Sequence, residues 1–372
     1  MKETILQLGA GRFLRAFVDR FVQQANDSGQ NVGKVVVVQS TPGRRAELLQ
    51  NPDGYRVLVR GYENQELVDR VETVQCISRA LVAQDAWAEI LEVVRSPALK
   101  FIVTNATEAG YELQDDDREN TQTSSAPVSM PAKLTQLLWE RFQSGGEPLV
   151  ILPCELIERN ADKLREIVID CATCWNLPEN FQEWIRNDCG WLNNLVDCIV
   201  TTPTAETSSV PATPADVQAE PYALWAIERT AVLPKLFHHP AIQLVDDLAP
   251  YYIRKVRILN GLHTAMVAKF LPAGMQLVRD VFDDPKAIRW LQGLLWEEIV
   301  PTIVHRVPNL AEFAFATWDR LRNPFVSHRL EDIALHHASK LKVRLQPSYD
   351  DYKTLFGQEP VRLCEILANP SR

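Results

Sequence analysis

The chain has 372 residues, of which 46% are hydrophobic and 23% charged, and its formal net charge is -9. This is the composition of a soluble globular protein with enough length for two cores. The acidic balance excludes a nonspecific nucleic-acid binder, and the lack of an apolar run of about 18 residues excludes a transmembrane helix.

The N-terminus runs into a strand-like segment with no signal-peptide pattern. Seven cysteines in such a chain read as reduced thiols of a cytoplasmic protein.

Thr4 to Leu8 reads as a short buried strand. The glycine turn Gly9-Ala10-Gly11 follows, then Arg12, Phe13 and a helical pattern to about Gln24. Strand, glycine turn and helix open a dinucleotide-binding βαβ unit. Gly9 allows the tight turn, and Gly11 lets the backbone approach a pyrophosphate. Leu14 takes the place of the usual third glycine.

Lys34 to Gln39 is a second strand, ending in Gln39-Ser40-Thr41-Pro42-Gly43-Arg44-Arg45. No acid stands there to take ribose hydroxyls, as NAD-type sites often have. Arg44 and Arg45 could accept the 2′-phosphate of NADP, or they could open a solvated helix. NAD against NADP stays open on these residues.

Tyr55 to Arg60 and Gln65 to Glu72 alternate like a hairpin. A helix over about Ala86 to Val94 leads to the strand Lys100 to Thr104, which ends in Asn105-Ala106-Thr107-Glu108. Polar residues beyond the carboxyl end of a parallel strand lie where such sheets bind ligands. Residues 114 to 130 read as an exposed loop, Pro131 to Phe142 as a helix and Pro148 to Pro153 as the next strand.

Cys171, Cys174, Cys189 and Cys198 are too irregularly spaced for a zinc site and read as ordinary thiols. Residues 201 to 219, rich in Thr, Pro, Ala and Ser, are the clearest composition break. The chain beyond is expected to be mostly helical. The fold class is therefore α/β: a Rossmann-like N-terminal domain over 1 to 200 and a mainly α-helical domain over 201 to 372. The active site is expected in a cleft between them.

Arg254 to Ala268 opens the helical part. At 100° per residue, Ile258, Leu259, Leu262 and Met266 lie within about 60° of Lys255. Asn260 and His263 fall roughly 140° and 80° away. A lysine thus sits in an apolar stripe, with an amide and an imidazole on one flank. Burial lowers the pKa of such a lysine and suits it to general acid/base work. The alternative is a packed stem with its head in water.

Several motifs in order resemble the mannitol dehydrogenase family of polyol-specific long-chain dehydrogenases. They are Gly9-x-Gly11-x-Phe13-x-Arg15-Ala16, Thr107-Glu108-Ala109-Gly110-Tyr111, Asn194-Leu195-Val196-Asp197, Lys255-x4-Asn260-x2-His263, Arg320-x2-Asn323-Pro324 and Ser339-Lys340. Together they span nearly the whole chain.

The resemblance implies zinc-independent hydride transfer, with NAD as cofactor and no metal, between the nicotinamide and a secondary alcohol or ketone. Lys255 would be the acid/base, Asn260 the donor to the substrate oxygen, and His263 the partner of a neighbouring hydroxyl. Cofactor contacts would come from Gly9, Gly11, Arg12, Phe13, Gln39, Ser40, Asn105, Thr107 and Glu108. Substrate contacts would come from Asn194, Asp197, Arg320 and Lys340.

The nearest branch acts on keto-hexonates (tagaturonate to altronate, or fructuronate to mannonate). Arg320, Lys340 and Arg344 are candidate partners for the substrate carboxylate. Leu156 stands where many members carry a second oxyanion asparagine, and Asn194 is a possible substitute. The alternatives are a hexitol or hexitol-phosphate dehydrogenase and a noncatalytic sugar-acid or nucleotide sensor.

Overall fold

The computed structural model describes residues 1–106, 108–118, 125–203, 211–230 and 236–368, without the side chains of Glu108 and Ala109. The described chain forms two compact units. One holds residues 1–59, 70–219 and 223–248, and the other holds 60–69, 220–222 and 249–372.

The first unit is built on β1 (Glu3–Leu8), α1 (Arg12–Ala16), α2 (Val18–Asp27), β2 (Lys34–Gln39) and α3 (Arg45–Leu48). A hairpin follows, of β3 (Tyr55–Glu63) and β4 (Glu66–Val74), then β5 (Ile77–Val82), α4 (Trp87–Arg95), β6 (Phe101–Thr104) and α5 (Met130–Gln143). Next come β7 (Val150–Pro153), α6 (Asn160–Cys174), α7 (Glu179–Asn187) and β8 (Gly190–Trp191).

Six of these strands make one sheet in the order β5-β2-β1-β6-β7-β8, with every pair parallel. In chain order that is 3-2-1-4-5-6, the doubly wound arrangement. Strands buried on both faces read as near-continuous apolar runs, and Leu6, Val36, Ile102 and Ile151 are all fully buried.

The expected boundary at residue 200 does not coincide with the division between the units. After β9 (Asn194–Asp197) and β10 (Val200–Thr201), the chain makes β11 (Val217–Ala219), β12 (Leu224–Glu228) and β13 (Ile242–Val245). β11 pairs with β3, and β12 pairs with β9 and β13. The described part of the composition break, 201–203 and 211–219, therefore belongs to the first unit, and its end, Val217–Ala219, is β11. Strand pairing carries that unit to Leu248.

The second unit is helical, apart from the hairpin tip. It runs through α8 (Ala249–Arg254), a π-helical turn over Lys255–Asn260, α9 (Gly261–Phe270), α10 (Val278–Asp283) and α11 (Pro285–Gly293). A second π turn over Leu294–Ile299 leads to α12 (Val300–Ile303), α13 (Leu310–Leu321), α14 (Leu330–Ile333), α15 (His337–Arg344), α16 (Gln346–Phe356) and α17 (Val361–Leu367).

Its core gathers Ile258, Leu262, Met266, Leu294, Leu295 and Leu345, all fully buried. Asn64 and Gln65 both have positive φ at the hairpin turn, the geometry that matches the strands' right-handed twist. Among the described residues no helix is long and apolar enough to cross a membrane.

Candidate active site

In the first unit the glycine turn follows β1. Gly9 has φ +136°, and a Cβ there would lie 3.1 Å from the Asn105 carbonyl oxygen. Only glycine fits both the conformation and the close approach. Gly11 caps α1 with extended backbone, and a Cβ on it would meet nothing within 4 Å. The space over Gly11 is what a pyrophosphate approaching the backbone amides needs, so the turn fits a dinucleotide.

Gln7 Nε2 holds the turn from below by donating to the Gly9 carbonyl at 3.0 Å. Arg12 is exposed and donates to Thr202 Oγ1. Phe13 is half-buried and stacks on Phe17.

Gln39 is buried and its amide is committed to the loop that follows. Nε2 donates to the Thr41 and Gly43 carbonyls at 2.8 and 2.7 Å, and Oε1 accepts from Ala46 N at 2.6 Å. It shapes the loop on which exposed Ser40 stands. Arg44 forks onto Glu47 at 2.5 and 2.6 Å, an exposed pair of the solvated-helix kind.

At the end of β6, Asn105 Nδ2 donates to the Cys154 carbonyl at 2.8 Å. Glu155, two residues beyond β7, is buried and accepts from Thr104 Oγ1, Ala106 N and the Tyr111 hydroxyl at 2.8–3.0 Å. Burial raises its pKa, while these three donors stabilise the carboxylate. It fastens the segment after β6 to the end of β7. Thr107 and the side chain of Glu108 lie outside the described residues; the Glu108 backbone opens a 3-10 turn to Tyr111.

Asn194 is a strut rather than an open donor. Its Nδ2 gives both hydrogens to the Pro153 and Leu192 carbonyls, each at 2.9 Å, and its Oδ1 accepts from Trp225 Nε1 at 3.0 Å. To replace the oxyanion asparagine it would have to give up one of these bonds. The Leu156 side chain is exposed, and Asp197 is buried at the end of β9.

In the second unit the Lys255 segment departs from the expected α-helix. Lys255–Asn260 is π-helical. An i→i+5 turn brings residues five apart near the same face, so Asn260 does not stand 140° from Lys255. Lys255 is buried with Ile258 and Leu259, while Asn260 is half-exposed. The wider turn changes which carbonyls find helical partners, and side chains join in. Thr264 Oγ1 donates to the Asn260 carbonyl at 2.9 Å.

His263 is buried, and its ring meets His328 edge-on with centroids 4.9 Å apart. Its pKa lies well below the ordinary histidine value. Burial is the main cause, His328, Arg320 and Arg344 add to it, and a backbone hydrogen bond at Leu259 opposes it. The ring is neutral at physiological pH. Nε2 is buried without a hydrogen-bond partner. With the other nitrogen turned to a backbone carbonyl, Nε2 is an acceptor.

Arg320 differs from the expected open cation. It is paired with Glu220 at 2.8–3.1 Å through Nε and a terminal nitrogen, both side chains being almost wholly buried. Its guanidinium also covers the Tyr222 ring at 4.2 Å. Asn323 Nδ2 donates to the Arg60 carbonyl, and a Cβ on Gly61 would lie 2.6 Å from that nitrogen. The Arg320-x2-Asn323-Pro324 motif therefore fastens the hairpin tip and residues 220–222 to the helices. Lys340 Nζ donates to the Ile333 carbonyl at 2.8 Å.

His328, Glu155 and Glu220 were not legible as site residues. His328 sits in an unpatterned loop, and the acids bind partners distant in sequence.

A doubly wound sheet with an open glycine turn, joined in one chain to a helical unit carrying a buried lysine and a neutral histidine, defines a two-part dehydrogenase fold. The mannitol dehydrogenase Rossmann domain matches residues 3–238 and the mannitol dehydrogenase C-terminal domain matches 247–369; the chain belongs to the mannitol dehydrogenase family.

Among its relatives, the altronate oxidoreductase of Halalkalibacterium halodurans is 35% identical over 99% of this chain and 74% of that protein. That of Bacillus subtilis is 36% identical over 97% and 77%. In structure the fold is that of Pseudomonas fluorescens mannitol 2-dehydrogenase, solved with NAD and D-mannitol. The TM-score is 0.77 at 21% identity, over 99% of this chain and 78% of that one.

Proposed function

We propose that this protein is an NAD-linked reductase of a keto-hexonate, interconverting tagaturonate and altronate. The observation that carries the reading is the π turn, which brings Lys255 and Asn260 toward one face beside the open acceptor of His263. The relatives named altronate oxidoreductase support the substrate, at 32–36% identity along nearly the whole chain.

Bound NADH would supply the hydride. Gly9, Gly11, Arg12 and Phe13 would hold the cofactor at the glycine turn. Asn105, Thr107 and Glu108 would hold it after β6. Ser40, on the loop that Gln39 shapes, would meet its ribose. The commitment of Arg44 to Glu47 favours NAD over NADP.

As the ketone carbon is reduced, its oxygen gains charge, and Asn260 donates a hydrogen bond to it. The Lys255 ammonium gives that oxygen its proton and recovers it in the reverse direction. His263, neutral, accepts from a neighbouring hydroxyl through Nε2 and fixes the substrate's orientation. Asp197 would meet a further hydroxyl.

Seven cysteines fit a reducing cytoplasm, and the partners are small molecules. Lys255→Ala is expected to lower turnover by at least about 10³-fold while NADH still binds, measured by fluorescence titration. A variant turning over near the wild-type rate removes the assignment.

A further inference from the structure

We propose that Arg344, supported by Lys340 and His337, anchors the carboxylate of the substrate. This deepens the keto-hexonate reading and rests on it.

His337, Lys340 and Arg344 are spaced i, i+3, i+7 along α15, so they share one face of that helix. This end of α15 meets α9. Arg344 donates to Thr264 Oγ1 at 3.2 Å, and Thr264 follows His263 in the chain. Gly261 lies close against this end of α15, where a Cβ would be 3.3 Å from Leu345 Cδ2 and 3.7 Å from the Arg344 carbonyl. The half-buried guanidinium is therefore held beside the residue that carries the open Nε2.

Four other arginines of this unit are paired with carboxylates: Arg320 with Glu220, Arg257 and Arg306 with Asp351, and Arg362 with Glu297 and Glu298. Among the described residues no carboxylate pairs with Arg344 or Lys340, which donate to the Thr264 hydroxyl and the Ile333 carbonyl. His337 Nδ1, like His263 Nε2, is buried without a hydrogen-bond partner.

Partly buried cations without a counter-charge are unfavourable. The two charged groups show it: burial is first in lowering the pKa of Arg344 and of Lys340, and Arg344 lowers that of Lys340 further. His337, lowered by burial and then by both cations, stands beside them as a neutral ring. An anionic ligand relieves both cations at once. Two parallel guanidinium N–H donors match the two oxygens of a carboxylate, the anion that the keto-hexonate reading supplies. A neutral hexitol offers no such charge.

The test uses the full chain and two variants. Arg344→Gln keeps a donor for Thr264 and removes the charge; Arg344→Lys keeps the charge and removes the fork. Steady-state kinetics are read with NADH and either tagaturonate or fructose. For R344Q the preference for tagaturonate over fructose, as a ratio of kcat/KM, is expected to fall about 100-fold. The change falls mainly in KM for tagaturonate, with KM for NADH unmoved, and R344K recovers part of it.

Should R344Q prove misfolded by circular dichroism, R344K alone decides, with an expected loss of about tenfold in the same ratio. A folded variant holding the wild-type ratio overturns the anchor while leaving the keto-hexonate reading intact. A wild-type enzyme that reduces fructose and no keto-hexonate overturns both.

Discussion

Asp19 shows how one buried group can tie stability to pH. It lies beneath the glycine turn, fully buried, with the Tyr55 hydroxyl 3.1 Å from Oδ2. Burial pushes its pKa up to about 7, against the hydrogen bonds of Tyr55 and Gln7 and the charge of Arg15. The folded protein therefore keeps a proton that the unfolded chain releases near pH 4. Stability from this group is full below about pH 4 and is lost as pH rises to about 7, by about 1.4 kcal/mol per pH unit. Asp19→Asn is expected to flatten that decline in unfolding midpoints measured from pH 4 to 8. Parallel wild-type and variant curves would refute it. The Asp19 environment was not legible in the sequence, because Tyr55 comes from β3 and Cys76, whose thiol donates to the Asp19 carbonyl, from the residue before β5. Asn194 and Arg320 were read as open side chains for the same reason. Their partners, Trp225 and Glu220, lie 31 and 100 residues away.

Elements with a strong local pattern were read almost to the residue, β2 and α5 among them. Valine runs and a proline at a first helical turn are local signals. β12 and β13 were not legible: they are short and follow a composition break, and only the pairing of β12 with β9 and of β13 with β12 makes them strands. The π turn was hidden for a different reason. Apolar spacing does register the buried stripe, since Ile258, Leu259, Leu262 and Met266 are all buried, but it does not register one widened turn. The glycine turn is the element most sensitive to a single methyl group. Gly9→Ala forces a side chain into φ +136°, 3.1 Å from a carbonyl oxygen. It is expected to cost about 1–3 kcal/mol of stability and to raise KM for NADH about tenfold. An unchanged KM for NADH in the initial-rate assay would mean that the turn does not carry the cofactor.

Across the molecule, the groups proposed for the cofactor belong to one unit, with the substrate candidate Asp197, and the proposed acid/base set belongs to the other. The glycine turn, the Gln39 loop and the Glu155 clasp belong to the doubly wound unit. Lys255, Asn260, His263 and the α15 cations belong to the helical one. The division of the chain was not legible in the sequence, because strand pairing takes the first unit to Leu248. The measurement that tests the central claim most directly is a substrate panel: tagaturonate, fructuronate, fructose and fructose 6-phosphate, each with NADH and with NADPH. A keto-hexonate reductase shows kcat/KM for tagaturonate with NADH at least about 100-fold above that for either fructose compound, and above that with NADPH. Preference for fructose or fructose 6-phosphate, or hydride transfer to none of the four, would contradict it.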